Sequence, residues 1–207
     1  GGQHHDSIAV DVADADALRA KVSALVVASP VHILVNNSGG PPGGRAIEAV
    51  ADDFLAAFQR HLLANQVLAQ ATVPGMRAAG WGRIVNVVST SVKEPIANLG
   101  VSNTIRGAVA SWAKTLSKEL GADGITVNNV LPGYTRTQRL DQILHDLVQS
   151  TGKDEAAISA AMLATVPAGR FAEASEIAAA IAFLGSPAAG YITGVSLAVD
   201  GGRMQSI

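Results

Sequence analysis

Apolar and polar positions along the chain follow two alternating patterns. Short runs of consecutive apolar residues, typical of strands buried on both faces, alternate with longer stretches in which apolar residues recur at helical spacing. The predicted strands are Ser7–Val12, His32–Val35, Arg83–Val88, Thr126–Leu131 and Val195–Val199. The predicted helices are Asp14–Ala28 with Asp14 as N-cap, Asp52–Ala79 interrupted near Pro74, Ser102–Leu120, Thr137–Thr165 and Ser175–Leu184. This alternation predicts an α/β fold in three layers, with a parallel sheet between two layers of helices.

Composition narrows the class of protein. The chain has 207 residues, of which 48% are hydrophobic and 15% charged, with no repeat or linker, so we expect one domain over residues 1–207. A net charge of −2 gives no basic surface for nucleic acid. The longest apolar stretch, Ile177–Leu184, is too short to span a bilayer. The absence of Cys excludes disulfides and is compatible with the cytoplasm, where we expect the protein to lie.

Three loops follow predicted strands and carry most of the candidate chemistry. They are Asn36–Gly44, Ser89–Asn98 and Pro132–Thr137. The carboxyl ends of parallel strands share one edge of a sheet, and ligands of open α/β sheets bind in the crevice at that edge. We therefore expect the three loops to face a common crevice.

Several segments, taken in order, resemble one family. Residues 82–137 read GRIVNVVSTSVKEPIANLGVSNTIRGAVASWAKTLSKELGADGITVNNVLPGYTRT, which resembles the catalytic half of a short-chain dehydrogenase/reductase. VDVAD, N-N-S-G, P-G-Y-T-R-T and the run from G-R-F-A-E-A-S-E-I-A to V-D-G-G extend the likeness over nearly the whole chain. Among family members, the chain most resembles 3-oxoacyl-acyl-carrier-protein reductase-like proteins. The resemblance implies a Rossmann-like doubly wound sheet, NAD or NADP as cofactor, and a small carbonyl or alcohol substrate.

The resemblance also implies which residues meet the cofactor. Asp11 stands where the family contacts the adenine amine, Asn36 and Gly39 belong to the crevice-lining turn, and Thr137 stands where a Thr binds the nicotinamide carboxamide. The cofactor-binding candidates are Asp11, Asn36, Gly39, Pro132, Gly133 and Thr137. Four of them have a structural alternative: capping of a strand end for Asp11, an ordinary tight turn for Asn36 and Gly39, and a helix N-cap for Thr137.

The catalytic positions depart from the family pattern. Ser89 matches the family's Ser, but Ser102 and Arg106 stand where the family has Tyr and Lys, and His61 stands where it has Asn. A tuned Tyr can give up a proton near neutral pH, whereas a Ser hydroxyl is a poor acid, and an Arg fork does not replace a Lys ammonium. The catalytic candidates are Ser89, Ser102, Arg106 and His61. The alternatives are a hydroxyl that terminates the strand for Ser89, a helix N-cap for Ser102, a surface position for Arg106, and a buried core position for His61.

The family's glycine-rich T-G-x-x-x-G-x-G fingerprint is absent from the sequence. We therefore expect the chain to lack the family's first βαβα unit, of roughly 40–60 residues. The family's strand order then leaves Ile8–Val12 without a neighbour and His32–Val35 as an open apolar edge. It also predicts weak or absent dinucleotide binding by this chain.

Three functions remain open on the sequence. The first is an NAD(P)-dependent oxidoreductase with an altered active site, and the second is a catalytically impaired pseudoenzyme that binds a dinucleotide or a partner. The third is a purely structural subunit. We also expect a homo-dimer or homo-tetramer, because Trp112 is costly to leave exposed to water and recurs at helical spacing with Ala108, Thr115, Leu116 and Glu119. The resemblance implies that this helix packs against its counterpart in a second subunit. No metal site is expected.

Overall fold

A computed structural model describes residues 5–206 of the chain. Its strands are β1 (Ile33–Asn36), β2 (Gly82–Val87), β3 (Ile125–Pro132) and β4 (Ser196–Val199). Its α-helices are α1 (Ala15–Ala28), α2 (Ala51–Phe58), α3 (Ala64–Ala79), α4 (Gly100–Leu120), α5 (Gln138–Thr151), α6 (Glu155–Leu163) and α7 (Ala174–Gly185). The predicted helical segment Thr137–Thr165 is thus two helices, α5 and α6.

The four strands form one parallel sheet in the order β1-β2-β3-β4. β2 and β3 are buried almost throughout, which explains why their sequences do not alternate between apolar and polar residues; their polar residues include Asn86 and Asn129. All pairs being parallel, the carboxyl ends of the strands share one edge. The predicted α/β class and parallel sheet are confirmed.

Helices cover both faces of the sheet. Ile84 of β2 points to the face packed by α3 and α4, whereas its neighbour Val85 points to the face packed by α7. Met76 of α3 is completely buried in the first of these two cores. α1 packs against α3, and the Asp14 carboxylate caps α1 by accepting a hydrogen bond from Ala17 N at 2.9 Å, as predicted. The predicted three-layer arrangement is confirmed.

The first predicted strand does not form. Residues 7–12 have no strand partner; Val10 and Val12 instead pack beside α1 and α3. A strand needs a neighbouring strand to pair its backbone groups. Among residues 5–206, β1 pairs with β2 on one side and with no strand on the other. The prediction of an open apolar edge holds, since Ile33 and Val35 of β1 are 48% and 43% exposed.

The long helix before β2 is interrupted at a different place from the one predicted. Pro74 lies inside a continuous α3, and the break is a π-helical turn, Gln59–Leu63, between α2 and α3. Such turns insert one extra residue into a helix and recur at functional sites. Here the π-helical turn holds His61, which is buried.

Candidate active site

A chain of buried amides crosses the sheet near its carboxyl edge. Asn36 Nδ2 donates to Asn86 Oδ1 at 2.8 Å, Asn86 Nδ2 to Asn129 Oδ1 at 3.0 Å, and Asn129 Nδ2 to the Ser196 hydroxyl at 3.1 Å. The four residues are in register on neighbouring strands. This series of hydrogen bonds ends at β1, where Asn36 Oδ1 is buried and accepts no hydrogen bond from residues 5–206. This amide ladder, formed by Asn36, Asn86, Asn129 and Ser196, links the four strands beneath the loops.

The loop after β1 is attached to the start of α4. Gly44 N donates to Asn98 O at 2.7 Å, and Gly100 N donates back to Gly44 O at 2.9 Å. A Cβ on Gly100 would lie 2.4 Å from backbone atoms of Ala46, so only Gly permits this contact. The glycine-rich loop 39–44 is therefore held over the amino end of α4, close to Arg106.

His61 of the π-helical turn is paired with the loop after β1. Its Nδ1 lies 2.8 Å from the Ser38 hydroxyl, and the residue is 5% exposed. Burial, reinforced by the positive charges of Arg106 and Arg60, lowers the pKa of His61 to about 4. The imidazole is therefore neutral at pH 7 and is a hydrogen-bonding group rather than a ready proton donor.

Arg106 extends from α4 toward the end of β2, where its Nη1 donates to Val87 O at 3.2 Å. Burial and the nearby charge of Arg139 lower its pKa to about 10, so it stays charged at pH 7. Among residues 5–206, it forms no salt bridge. A half-buried guanidinium with spare N–H groups is able to stabilise negative charge on a ligand.

Ser89 and Ser102 lie on either side of this region. Ser89 follows β2 at the start of a short 3₁₀ turn, and its hydroxyl oxygen accepts a hydrogen bond from Ser91 N at 3.1 Å, which leaves its O–H free to donate. Ser102 is buried in the first turn of α4, which packs against that 3₁₀ turn. Ser102 is not the N-cap of α4, a position taken by Leu99.

The structure separates the cofactor candidates into a group at the crevice and two residues with local roles. Asn36 lies in the amide ladder, and Gly39 faces open space, with no heavy atom within 4 Å of a Cβ built on it. Asp11 is exposed in the turn before α1, and its carboxylate accepts a hydrogen bond from Ala13 N at 3.0 Å. Thr137 is the N-cap of α5, and its hydroxyl donates to Thr135 O at 3.3 Å.

Pro132 and Gly133 form the end of β3. Gly133 N donates to Val199 O at 2.9 Å, which brings the turn at Asp200 directly against the glycine. A Cβ on Gly133 would lie 2.7 Å from Asp200 Cα, so this position requires Gly for packing. Packing alone therefore explains why this residue is glycine, and no ligand is needed to account for it. The Pro132-Gly133 turn lies at the carboxyl edge of the sheet.

Two residues of the site were not identified from the sequence. Ser38 was read only as part of a turn, yet it is the partner of His61. Arg139 was read only as part of a polar helix, yet its Nη2 donates to Pro41 O at 3.0 Å and its guanidinium lies beside Arg106. The position of Ser38 inside the N-N-S-G motif was a usable signal, whereas no spacing in the sequence links Arg139 to the loop after β1.

Comparison with known proteins establishes the family. The sequence model of a family described as enoyl-(acyl carrier protein) reductase matches residues 1–203. The chain belongs to this family of short-chain dehydrogenases/reductases. It is 31% identical over 204 residues to the 3-oxoacyl-acyl-carrier-protein reductase FabG of Vibrio harveyi, covering 97% of this chain and 78% of that protein. It is 37% identical over 174 residues to FabG of Haemophilus influenzae, covering 83% of this chain and 66% of that protein.

Solved structures agree with this assignment. YwfH, an NADPH-dependent reductase involved in bacilysin biosynthesis, superposes with a TM-score of 0.90 at 30% identity, covering 97% of this chain and 78% of that one. The L-sorbose reductase of Gluconobacter frateurii, solved with NADPH and L-sorbose, gives a TM-score of 0.89 at 31% identity, covering 96% and 76%. These likenesses confirm the Rossmann-like fold. Within the described part of the chain, no helix is long and apolar enough to cross a membrane.

Proposed function

We propose that the protein is an NAD(P)-dependent oxidoreductase that acts on a small carbonyl or alcohol substrate through an altered active site. The observation that carries the proposal is the position of Arg106, a charged guanidinium that has no carboxylate partner among residues 5–206 and is anchored to Val87 O beside the loop that follows β1. The family and the reductases that superpose on the chain support the reaction class. A cytoplasmic location is part of the same proposal.

The residues present suit a dinucleotide. Asn36 offers a buried side-chain carbonyl oxygen that accepts no hydrogen bond from the described part of the chain, and Gly39 leaves space where a side chain would stand. Arg106 offers cationic N–H groups suited to ribose hydroxyls or phosphate oxygens. These residues would hold NAD or NADP, which supplies a hydride when bound. Asp11 and Thr137 are further proposed contacts, taken from the family's pattern. Weak binding by this chain is also proposed, because its sequence carries no glycine-rich phosphate fingerprint.

The side chains divide the remaining tasks. The free O–H of Ser89 donates a hydrogen bond to the substrate carbonyl oxygen, and the Arg106 charge stabilises the negative charge that develops on that oxygen. His61, neutral at pH 7, orients Ser38 and does not act as an imidazolium acid. Ser102 is buried, and its hydroxyl has no pKa that could be tuned toward neutrality. It therefore does not supply a proton. The proton that completes the alcohol therefore comes from water, directly or through Ser89.

A pseudoenzyme is the second candidate, and one observation favours it. None of the four catalytic candidates is an acid with a pKa near neutrality: His61 has a pKa of about 4, Arg106 of about 10, and Ser89 and Ser102 are hydroxyls. A well-placed general acid commonly contributes about 10²–10⁴-fold to the rate. A protein with this site would therefore bind a dinucleotide and turn it over slowly or not at all.

Steady-state oxidation of NADPH and NADH against a panel of ketones tests the proposal. We expect slow turnover that Ser89→Ala reduces further, and that the double variant Ser102→Tyr with Arg106→Lys raises by restoring an acid. Ser111→Ala, an exposed serine on α4, is the matched control and should leave the rate unchanged. Turnover at an ordinary ~1–10³ s⁻¹ that Ser89→Ala does not change would refute the altered-site mechanism. Dinucleotide binding without turnover by any variant would support the pseudoenzyme.

A further inference from the structure

Two guanidinium groups meet beside the loop after β1. Measured from the point where a Cβ on Gly40 would stand, Arg106 Nη2 lies at 3.5 Å, and Arg139 Nε and Nη2 both lie at 3.7 Å. The two side chains come from different helices, α4 and α5. Each is anchored to a backbone carbonyl, Arg106 to Val87 O and Arg139 to Pro41 O, so the convergence is built into the fold.

No acidic side chain balances these charges. Within residues 5–206, no carboxylate lies within 4.0 Å of either guanidinium. Five other arginines in the described part of the chain form salt bridges, and one of them, Arg136, lies three residues before Arg139 and pairs with Glu173 at 3.1 Å. Burial and, as the smaller cause, the nearby positive charge of Arg139 lower the pKa of Arg106 to about 10.

We propose that Arg106 and Arg139 together bind an oxyanion, a carboxylate or phosphate group carried by the ligand of this crevice. Two neighbouring guanidinium groups together offer several N–H donors to the oxygen atoms of such a group and form charge-assisted hydrogen bonds with it. The inference rests on the proposed function, because the oxyanion belongs either to a substrate that is an oxo acid or to the phosphates of the dinucleotide. It identifies the substrate class in the first case and a phosphate contact in the second.

Calorimetric titration of the 207-residue chain tests the oxyanion site without turnover. Pyruvate and its neutral counterpart acetone form one arm, and inorganic pyrophosphate forms the other. We expect binding of at least one anion and none of acetone, with tighter pyruvate binding indicating an oxo-acid substrate and tighter pyrophosphate binding indicating a cofactor phosphate. Arg139→Gln, at an exposed position where folding is least at risk, should weaken that binding by about tenfold or more.

Arg136→Gln is the matched control, since it removes the same charge one turn away and should leave anion affinity unchanged. The pKa of His61, followed by NMR, is an independent readout, because an anion that neutralises Arg106 should raise it from about 4. No anion binding at millimolar concentration, or equal weakening by both variants, would overturn the inference. Anion binding without NAD(P)H oxidation would instead leave the site standing and refute the oxidoreductase function.

Discussion

Replacing His61 by Asn should remove a large part of the protein's loss of stability in mild acid. His61 is buried, and its pKa in the folded chain is about 4, below the ordinary value of 6.5 that it regains on unfolding. Above pH 6.5, both states hold a neutral imidazole and the group has no effect. As the pH falls from 6.5 toward 4, the unfolded state takes up the proton first, so the free energy of unfolding decreases.

The size of this effect follows from the two pKa values. Linkage predicts that the free energy of unfolding falls by about 2 kcal/mol between pH 7 and pH 5. Relaxation of the crevice around the charged imidazole reduces this loss, so we expect about 1–2 kcal/mol. Other shifted groups do not interfere in this window. The pKa of Glu176 is lowered to about 2 by its contact with Arg170, so its contribution is lost only as the pH falls from 4.5 toward 2.

Urea unfolding at pH 7 and pH 5, followed by circular dichroism, measures this loss for each variant. His61→Asn should lose about 1–2 kcal/mol less than the unmodified chain between the two pH values, whatever its absolute stability. His145→Asn is the matched control, because His145 is exposed on α5, and it should behave like the unmodified chain. If His61→Asn loses as much stability as the unmodified chain, the imidazole is not held neutral and its assigned role beside Arg106 is wrong.

Three further predictions concern packing and assembly. In urea unfolding, Gly107→Ala should stabilise the chain by about 0.5–1 kcal/mol, because Gly107 lies inside α4 and has no heavy atom near its Cβ position. Gly100→Ala should destabilise the chain by about 1–3 kcal/mol, because the added Cβ would clash with Ala46. Equal effects of the two variants would contradict this packing. Asn86→Leu should cost about 2–4 kcal/mol in the same assay, since it leaves its buried amide neighbours on β1 and β3 unpaired, and a loss below about 1 kcal/mol would refute the ladder's importance. The chain should sediment as a dimer or tetramer at micromolar concentration, and a single monomeric species would disprove this.

The structure changes the reason for expecting an oligomer. Trp112 was taken as an exposed aromatic side chain, but it is half-buried against α3, and its Nε1 donates to Gln66 Oε1 at 2.8 Å. Among the apolar side chains that are exposed, Ile33 and Val35 lie at the edge of the sheet. An unpaired strand edge with exposed apolar side chains invites pairing with another chain, so oligomerisation remains a prediction on this different ground.

The sequence by itself determined the elements whose signals are local. The apolar-rich segments of β2 and β3, the helical spacing of α4 and the Asp14 cap of α1 depend on neighbouring residues, and their predictions hold. The alternation of strands and helices also placed three loops at one edge of the sheet, because each loop follows a strand of a parallel sheet. These features are predictable because periodicity and capping depend on a few consecutive residues.

Tertiary structure alone decided how the side chains of the site are paired. The contacts of Ser38 with His61 and of Arg139 with the loop after β1 join residues far apart in sequence, and a π-helical turn rather than Pro74 sets the direction of His61. The failure of residues 7–12 to form a strand has the same origin, because a strand exists only where a partner strand is available. Charges and hydrogen bonds depend on distances that only the packed fold fixes, which is why the sequence could name Arg106 as a candidate but could not show that Arg139 lies beside it.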